Sequence, residues 1–224
     1  MGKTQGLGDM VYALLAQRYT LKKKDLGADA RLAKSGMAFE TEAWEVPALG
    51  HLCIMRMNAM LGLMKMETAV LAVDGKDLPL LNLDWVKAMG KETQIAELYD
   101  TQLAPYPEEK LAAFDAIRAR DDDLPGPETK PHWYDAILYP CSYHKAGRKI
   151  SDRLSAAAKD YFETFLRQLD EAPVCDPAEK GAKVKAFAER LFAEGGPAVD
   201  QVTKLFGPET AKRLILRHMY GVKD

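Results

Sequence analysis

The sequence predicts an α/β protein, a three-layer α/β/α sandwich with a central antiparallel sheet. Three observations carry that prediction. Five short apolar runs between Phe39 and Tyr99 follow one another with connections too brief for crossover helices, so the strands pair antiparallel as a meander. Several runs are apolar on both alternating faces, as where Leu81 and Leu83 alternate with Leu80 and Val86; that is the pattern of a sheet covered on both sides. Helical periodicity brackets the runs at both ends of the chain and supplies the covers.

The elements follow in order. Leu7, Met10, Val11, Leu14 and Leu15 recur at i, i+3, i+4, i+7 and i+8, one face of an amphipathic helix. A basic stretch with Lys22, Lys23, Lys24, Arg31 and Lys34 completes a helical N-terminal part, 5–35. The period then shortens. Phe39 to Val46 closes at Pro47 and Gly50, and His51 to Ala59 follows. Leu63 to Val73 ends at Asp74-Gly75-Lys76-Asp77, a glycine-containing turn between two apolar runs. Leu80 to Val86 and Thr93 to Tyr99, parted by a turn at Gly90, complete a sheet region, 39–103. Pro107 with Glu108 and Glu109 opens a helix to Arg120, proline being suited to a first turn. Leu124 to Pro131 is too rich in proline and glycine for a helix, and Ile137 to Tyr143 reads as one more strand. Leu154, Ala158, Tyr161, Phe162, Phe165, Leu166 and Leu169 line a long helix; Val184, Phe187, Ala188, Leu191 and Phe192 line the next. Pro197 to Phe206 stops at Gly207, and Pro208 to Tyr220 stops at Gly221. The helical C-terminal part is thus 107–220, and 1–224 reads as a single domain.

Composition excludes several classes. With 224 residues and a hydrophobic share of 47% the chain can bury a sizeable core. No stretch approaches the roughly 20 apolar residues of a membrane span, and Met1 to Gly8 lacks the apolar segment of a secretory signal. A formal charge of −2 predicts neither a nucleic-acid binder nor a membrane-surface protein. Cys53, Cys141 and Cys175 are too few and too scattered for a disulfide framework, which points to a reducing cytoplasm. His51 with Cys53, and Cys141 with His144, could be read as ligand pairs, but no HExxH or paired CxxC accompanies them and zinc needs four convergent ligands; no metal site is expected.

The polar residues in covered strands are the informative ones. Asp84 stands between Leu83 and Trp85. A carboxylate buried there is costly to ionise, so its pKa rises and it can hold a proton near neutral pH, as a proton donor must. The other reading puts Asp84 at a strand end, solvated before the Gly90 turn. Glu67 shares a face with Leu63, Ala69 and Leu71, while Arg56 and Asn58 share one with Leu52 and Ile54; on covered strands these need partners. Polar groups from three adjacent strands would then converge on one cavity. Met55, Met57, Met60, Met64 and Met66 cluster on two of the same strands, as core filler or as an adaptable wall for a flat apolar ligand.

From Phe39 to Leu103, and again through the C-terminal helices, this order of motifs resembles the ferredoxin-dependent bilin reductases, most closely the phycocyanobilin-forming branch. Leu78-Pro79 with Asp84 and Val86 looks like the strand carrying that family's catalytic aspartate, and the spacing from Glu40 through Pro47 to Asp84 runs alongside it. Tyr139-Pro140-Cys141 falls at the family's Ser-Pro-Phe motif, and Lys204 to Arg213 with Met219-Tyr220 is similar to its closing pattern. The resemblance implies an antiparallel sheet between helical layers, and reduction of a linear tetrapyrrole such as biliverdin by single electrons from ferredoxin or flavodoxin. It implies no bound metal or flavin, and a monomer. Asp84 would protonate the substrate, with Glu67 in the register of the family's catalytic histidine and Thr68 beside it. Thr93 stands where the family has a propionate-binding serine, and Lys145, Arg148 and Lys149 lie near its propionate-binding arginine. Arg56, Asn58 and Met55 would border the substrate, and the basic stretch from Arg18 to Lys34 would meet an acidic ferredoxin. Met55 replaces the branch's glutamate, and Glu194-Gly195-Gly196 stands where the family carries a functional lysine or aspartate. Those departures leave a second reading, a non-catalytic tetrapyrrole carrier on the same fold; the red chlorophyll catabolite reductases share that fold.

Overall fold

The computed structural model describes residues 6–127 and 130–223. The chain opens with helix α1 (Leu7–Ala16) and then two short strands, β1 (Lys22–Lys23) and β2 (Arg31–Lys34). Five long strands follow: β3 (Met37–Val46), β4 (Gly50–Ala59), β5 (Met64–Val73), β6 (Leu80–Ala88) and β7 (Lys91–Tyr99). After helix α2 (Glu108–Ala119) comes β8 (Tyr143–Gly147), then helices α3 (Ser151–Glu171), α4 (Pro177–Glu194), α5 (Pro197–Phe206) and α6 (Pro208–Lys212). The last of these runs on into a π-helical turn, Arg213–Met219. Among the described residues no helix is long and apolar enough to cross a membrane.

All eight strands join one antiparallel sheet, with β3 to β7 adjacent in chain order, β8 beside β7, and β1 and β2 pairing with successive stretches of the outer edge of β3. The β6–β7 hairpin turns on two residues, Met89 and Gly90, with φ of 51° and 78°. Such a turn matches the twist of its strands and fixes their register, pairing Ala88 with Lys91 and Asp84 with Ile95.

Because side chains alternate across a strand, the two faces bury separate sets. Leu52, Ile54, Leu71, Leu81, Leu83 and Leu98 pack with Val11 of α1, Phe114 of α2 and Tyr161, Phe162 and Phe165 of α3. The opposite residues, among them Phe39, Cys53, Met55, Met57, Val70 and Leu80, pack with Val184 and Phe187 of α4, Val202 of α5 and Leu214 and Ile215 of the π-helical turn. Each large apolar side chain so buried contributes about 1.5–3 kcal/mol. The predicted three-layer architecture is the observed one.

Two predicted elements differ. Of the predicted helical part 5–35, residue 5 lies outside the described residues; the rest is helical in α1 and in a 3₁₀ turn, Gly27–Ala30. Lys22–Lys23 and Arg31–Lys34 are edge strands, formed because the outer edge of β3 offers unpaired backbone groups. Residues Ile137 to Tyr143 do not make a strand. A 3₁₀ turn covers Trp133–Ile137 and a tight turn follows, with Ser142 N–H donating to the Tyr139 carbonyl at 3.0 Å. Pro140, lacking an N–H, suits the turn and not a ladder, so β8 begins only at Tyr143.

Candidate functional site

The face of the sheet that carries α4 to α6 is sealed at one end and half-open at the other. Cys53, Met55, Val70, Ala72, Leu80 and Tyr99 are buried on it, whereas Met64, Met66, Val86, Ile95 and His144 keep part of their surface accessible, as does Thr93. Asp84 stands at the border between the two zones, itself partly accessible. The rim beyond is apolar and exposed at Met60, Leu61, Leu63 and Met89.

Asp84 is held by its neighbours on either side. Thr68, directly opposite it on β5, donates its hydroxyl to Oδ1, and Asn82, two residues back on the same face, donates to Oδ2 at 2.7 Å. The Asn82 amide also reaches Glu97 Oε2 at 3.2 Å. Glu97 in turn accepts from the Tyr99 hydroxyl at 2.6 Å and lies 3.0 Å from His144 Nε2. Thr68, Asp84, Asn82, Glu97 and His144 thus form one hydrogen-bonded chain across four strands. Burial pushes the Asp84 pKa up to about 6, against the hydrogen bonds from Thr68 and Asn82 and with help from the charge of Glu97. That value leaves the carboxyl able to hold and release a proton near neutral pH. Burial and Glu97 together also hold the Tyr99 phenol in its neutral form.

The other expected site residues divide by face. Met55 is buried on the Asp84 face, directly opposite Thr68, and Thr93 lies on that face nearer the rim. Arg148 sits beyond β8 and donates to the Met89 carbonyl at 2.9 Å, at the same end of the sheet. Glu67, Arg56, Asn58 and Lys145 alternate to the other face. The expected convergence of polar groups from three strands on one cavity therefore does not form. Glu67 Oε2 instead accepts the backbone N–H of Gly8 at 2.9 Å, satisfying a free donor in the first turn of α1. Arg56 bridges Asp9 at 2.6 Å and Glu42 at 3.0 Å. Lys145 donates to the Leu124 carbonyl at 3.3 Å, and the Asn58 side chain is exposed beside its hairpin. Asn82, Glu97 and Tyr99 escaped the sequence reading, which considered His144 only as a possible ligand beside Cys141. The signal for the first two was available: a two-residue turn at Met89-Gly90 pairs Asn82 with Glu97.

The basic stretch is partly neutralised. Arg18 pairs with Asp170, Lys23 with Glu42 and Arg31 with Glu40. Among the described residues no group of three or more His, Cys, Asp or Glu side chains is placed to hold a metal ion.

Fold and site together define a class: an α/β/α sandwich with a protonatable carboxyl on the floor of a half-open, methionine-rich face. Among the solved structures to which this chain is similar is phytochromobilin synthase from tomato, determined in complex with biliverdin. The two agree with a TM-score of 0.76 over 94% of this chain and 80% of the other, at 14% sequence identity, so the likeness is one of fold. No protein-family model and no curated protein matches the sequence.

Proposed function

We propose that this chain is an enzyme that reduces a linear tetrapyrrole of the biliverdin kind, acting as a cytoplasmic monomer, with Asp84 as proton donor. The carrying observation is the Asp84 carboxyl, its pKa near 6, at the edge of an accessible apolar face on the fold of a biliverdin-bound neighbour. Saturating one conjugated double bond takes two electrons and two protons. Reduced ferredoxin or flavodoxin supplies the electrons one at a time and is oxidised. Asp84 gives one proton and becomes a carboxylate, stabilised by Thr68 and Asn82; water entering through the open half supplies the second proton and restores the first. Glu97 and His144 extend the same chain of hydrogen bonds to β8. Met64, Met66, Val86 and Ile95 give the flat rings an adaptable apolar wall, while the Thr93 hydroxyl and Arg148 at the rim take the propionates. The electron donor docks on the basic edge, where Lys22 and Lys34 make no ion pair among the described residues.

The carrier reading keeps one observation in its favour: Met55 and Thr68, the cross-strand neighbours in line with Asp84, do not titrate in the physiological range. The test is a visible absorption spectrum of the purified chain with biliverdin, before and after anaerobic addition of reduced ferredoxin. Decay of the bound spectrum through a radical to a blue-shifted product supports the reductase, and Asp84→Asn should then retain binding and lose turnover. Binding without change on reduction would leave the carrier. Absence of binding would sink both readings.

A further inference from the structure

A cavity of about 450 Å³, away from the Asp84 face, opens between the segment after β1 and the C-terminal π-helical turn. None of its lining residues belongs to the Asp84 network. Four fixed cations line it: Lys24 from the first segment, Arg213 and Arg217 from the π-helical turn, and Lys223 from the tail. Asp29 also lines it and is fully engaged, accepting from Arg213 at 2.9 Å and from His218 Nε2 at 3.0 Å. Asp25 at the rim receives the Gly27 backbone N–H at 2.8 Å. Lys24, Arg217 and Lys223 make no ion pair among the described residues. They crowd one another: burial and then the charge of Arg217 lower the proton affinity of Lys24, Glu45 opposes them in part, and Lys223 lowers it further. Like charges gathered this way destabilise a fold unless something negative comes between them.

The second observation is His218. Its ring is 6% exposed and lines the cavity, and its Nδ1 is buried with no hydrogen-bond partner among the described residues. A buried ring nitrogen left unpaired is costly; with Nε2–H given to Asp29 and burial lowering the ring's proton affinity, Nδ1 is an unprotonated acceptor, suited to the P–OH of a protonated phosphate. The helical turn that presents Arg213, Arg217 and His218 is a π-helix, a rare element that recurs at functional sites.

We propose that this cavity binds a small multivalent oxyanion of the phosphate class, held by Lys24, Arg217 and Lys223 over the His218 ring. The size is that of a small-molecule site. Its cations converge from three separate segments on a concave floor of Leu26 and His218, which suits a compact anion better than the flat acidic surface of a protein partner. The proposal is independent of the redox reading of Asp84.

The test uses inorganic pyrophosphate, titrated into the full chain by calorimetry and followed on the His218 ring resonances by NMR. Saturable binding with a shift of those resonances is expected, and Arg217→Gln and Lys223→Gln should each weaken it about tenfold, the usual loss for a charge-assisted hydrogen bond. Both side chains are exposed, so both variants retain the fold. No heat and no shift up to millimolar pyrophosphate would overturn the proposal, as would binding that ignores both substitutions. A raised KM for ferredoxin in these variants without any pyrophosphate binding would assign the cations to an acidic protein partner, and would equally overturn it.

Discussion

Replacing Asp84 by asparagine removes a titration and keeps the shape, so it isolates what burial does to that carboxyl. The folded pKa is about 6, against about 3.9 in an unfolded chain. A raised carboxyl pKa means that the folded state holds a proton which the unfolded state has released. Stability from this group is therefore fully present below about pH 4 and lost as pH rises towards and through about 6. The shift corresponds to about 3 kcal/mol in all, of which about 2 kcal/mol falls between pH 4.5 and pH 8. The Asp84→Asn variant has no such slope. Its amide oxygen can still accept from Asn82 and its NH2 can donate to the Thr68 hydroxyl, which must then turn its own proton away; that rearrangement costs about 1 kcal/mol at every pH. The measurement is urea denaturation of both proteins at pH 4.5 and pH 8, read by circular dichroism. The wild type should lose about 2 kcal/mol relative to the variant on going to pH 8, whatever the constant offset. Parallel stability curves would mean that Asp84 ionises like a surface carboxyl, and the proton-donor argument would lose its basis.

Three further perturbations test the frame around that site. Glu67→Gln keeps an acceptor for the Gly8 N–H but loses its charge at the start of α1, so it should cost about 0.5–1 kcal/mol in thermal or urea unfolding and leave bilin turnover unchanged; lost turnover with intact stability would return Glu67 to the chemistry. Gly8→Ala places a Cβ about 2.5 Å from Ile54 Cγ2, so α1 must lift from the sheet at a cost of roughly 1–3 kcal/mol, visible as a lowered Tm. Lys180 is fully buried, donates to the Thr101 carbonyl at 2.7 Å and hydroxyl at 3.0 Å, and is lowered by burial to a pKa of about 8. The unfolded lysine holds its proton longer, so the wild type should gain stability over Lys180→Met by about 2.5 kcal/mol between about pH 8 and pH 10.4; equal pH dependence of the two would refute the shift.

The fold was legible where one local rule decided the outcome. Glycine and proline marked the hairpin at Gly90 and the starts of α2, α5 and α6, at Pro107, Pro197 and Pro208. The two-sided apolar runs announced a sheet with covers. What failed was decided by partners elsewhere. Lys22–Lys23 and Arg31–Lys34 have no strand signal of their own and extend because β3 has an open edge to pair with. His144 joins the site because β8 is delivered beside β7 from more than forty residues away, a non-local pairing that periodicity does not encode.

The site shows how much hangs on a single residue of register. Asp84 was singled out as a polar group in a covered strand and Glu67 on β5 was grouped with it, whereas the residue opposite Asp84 is the next one, Thr68. Since strand side chains alternate, that shift of one position moves the partner to the opposite side of the sheet. Six residues, Asp74 to Pro79, separate β5 from β6, and a connection of that length leaves the register to tertiary packing. The two-residue turn at Met89-Gly90 fixes β6 against β7 outright. The half of the network reached through that turn, Asn82 and Glu97, was therefore recoverable from sequence; the half reached through β5 required the packed sheet. The two carboxyls first grouped as one site have separate tasks in this structure: Asp84 borders the open face, and Glu67 caps α1 behind it.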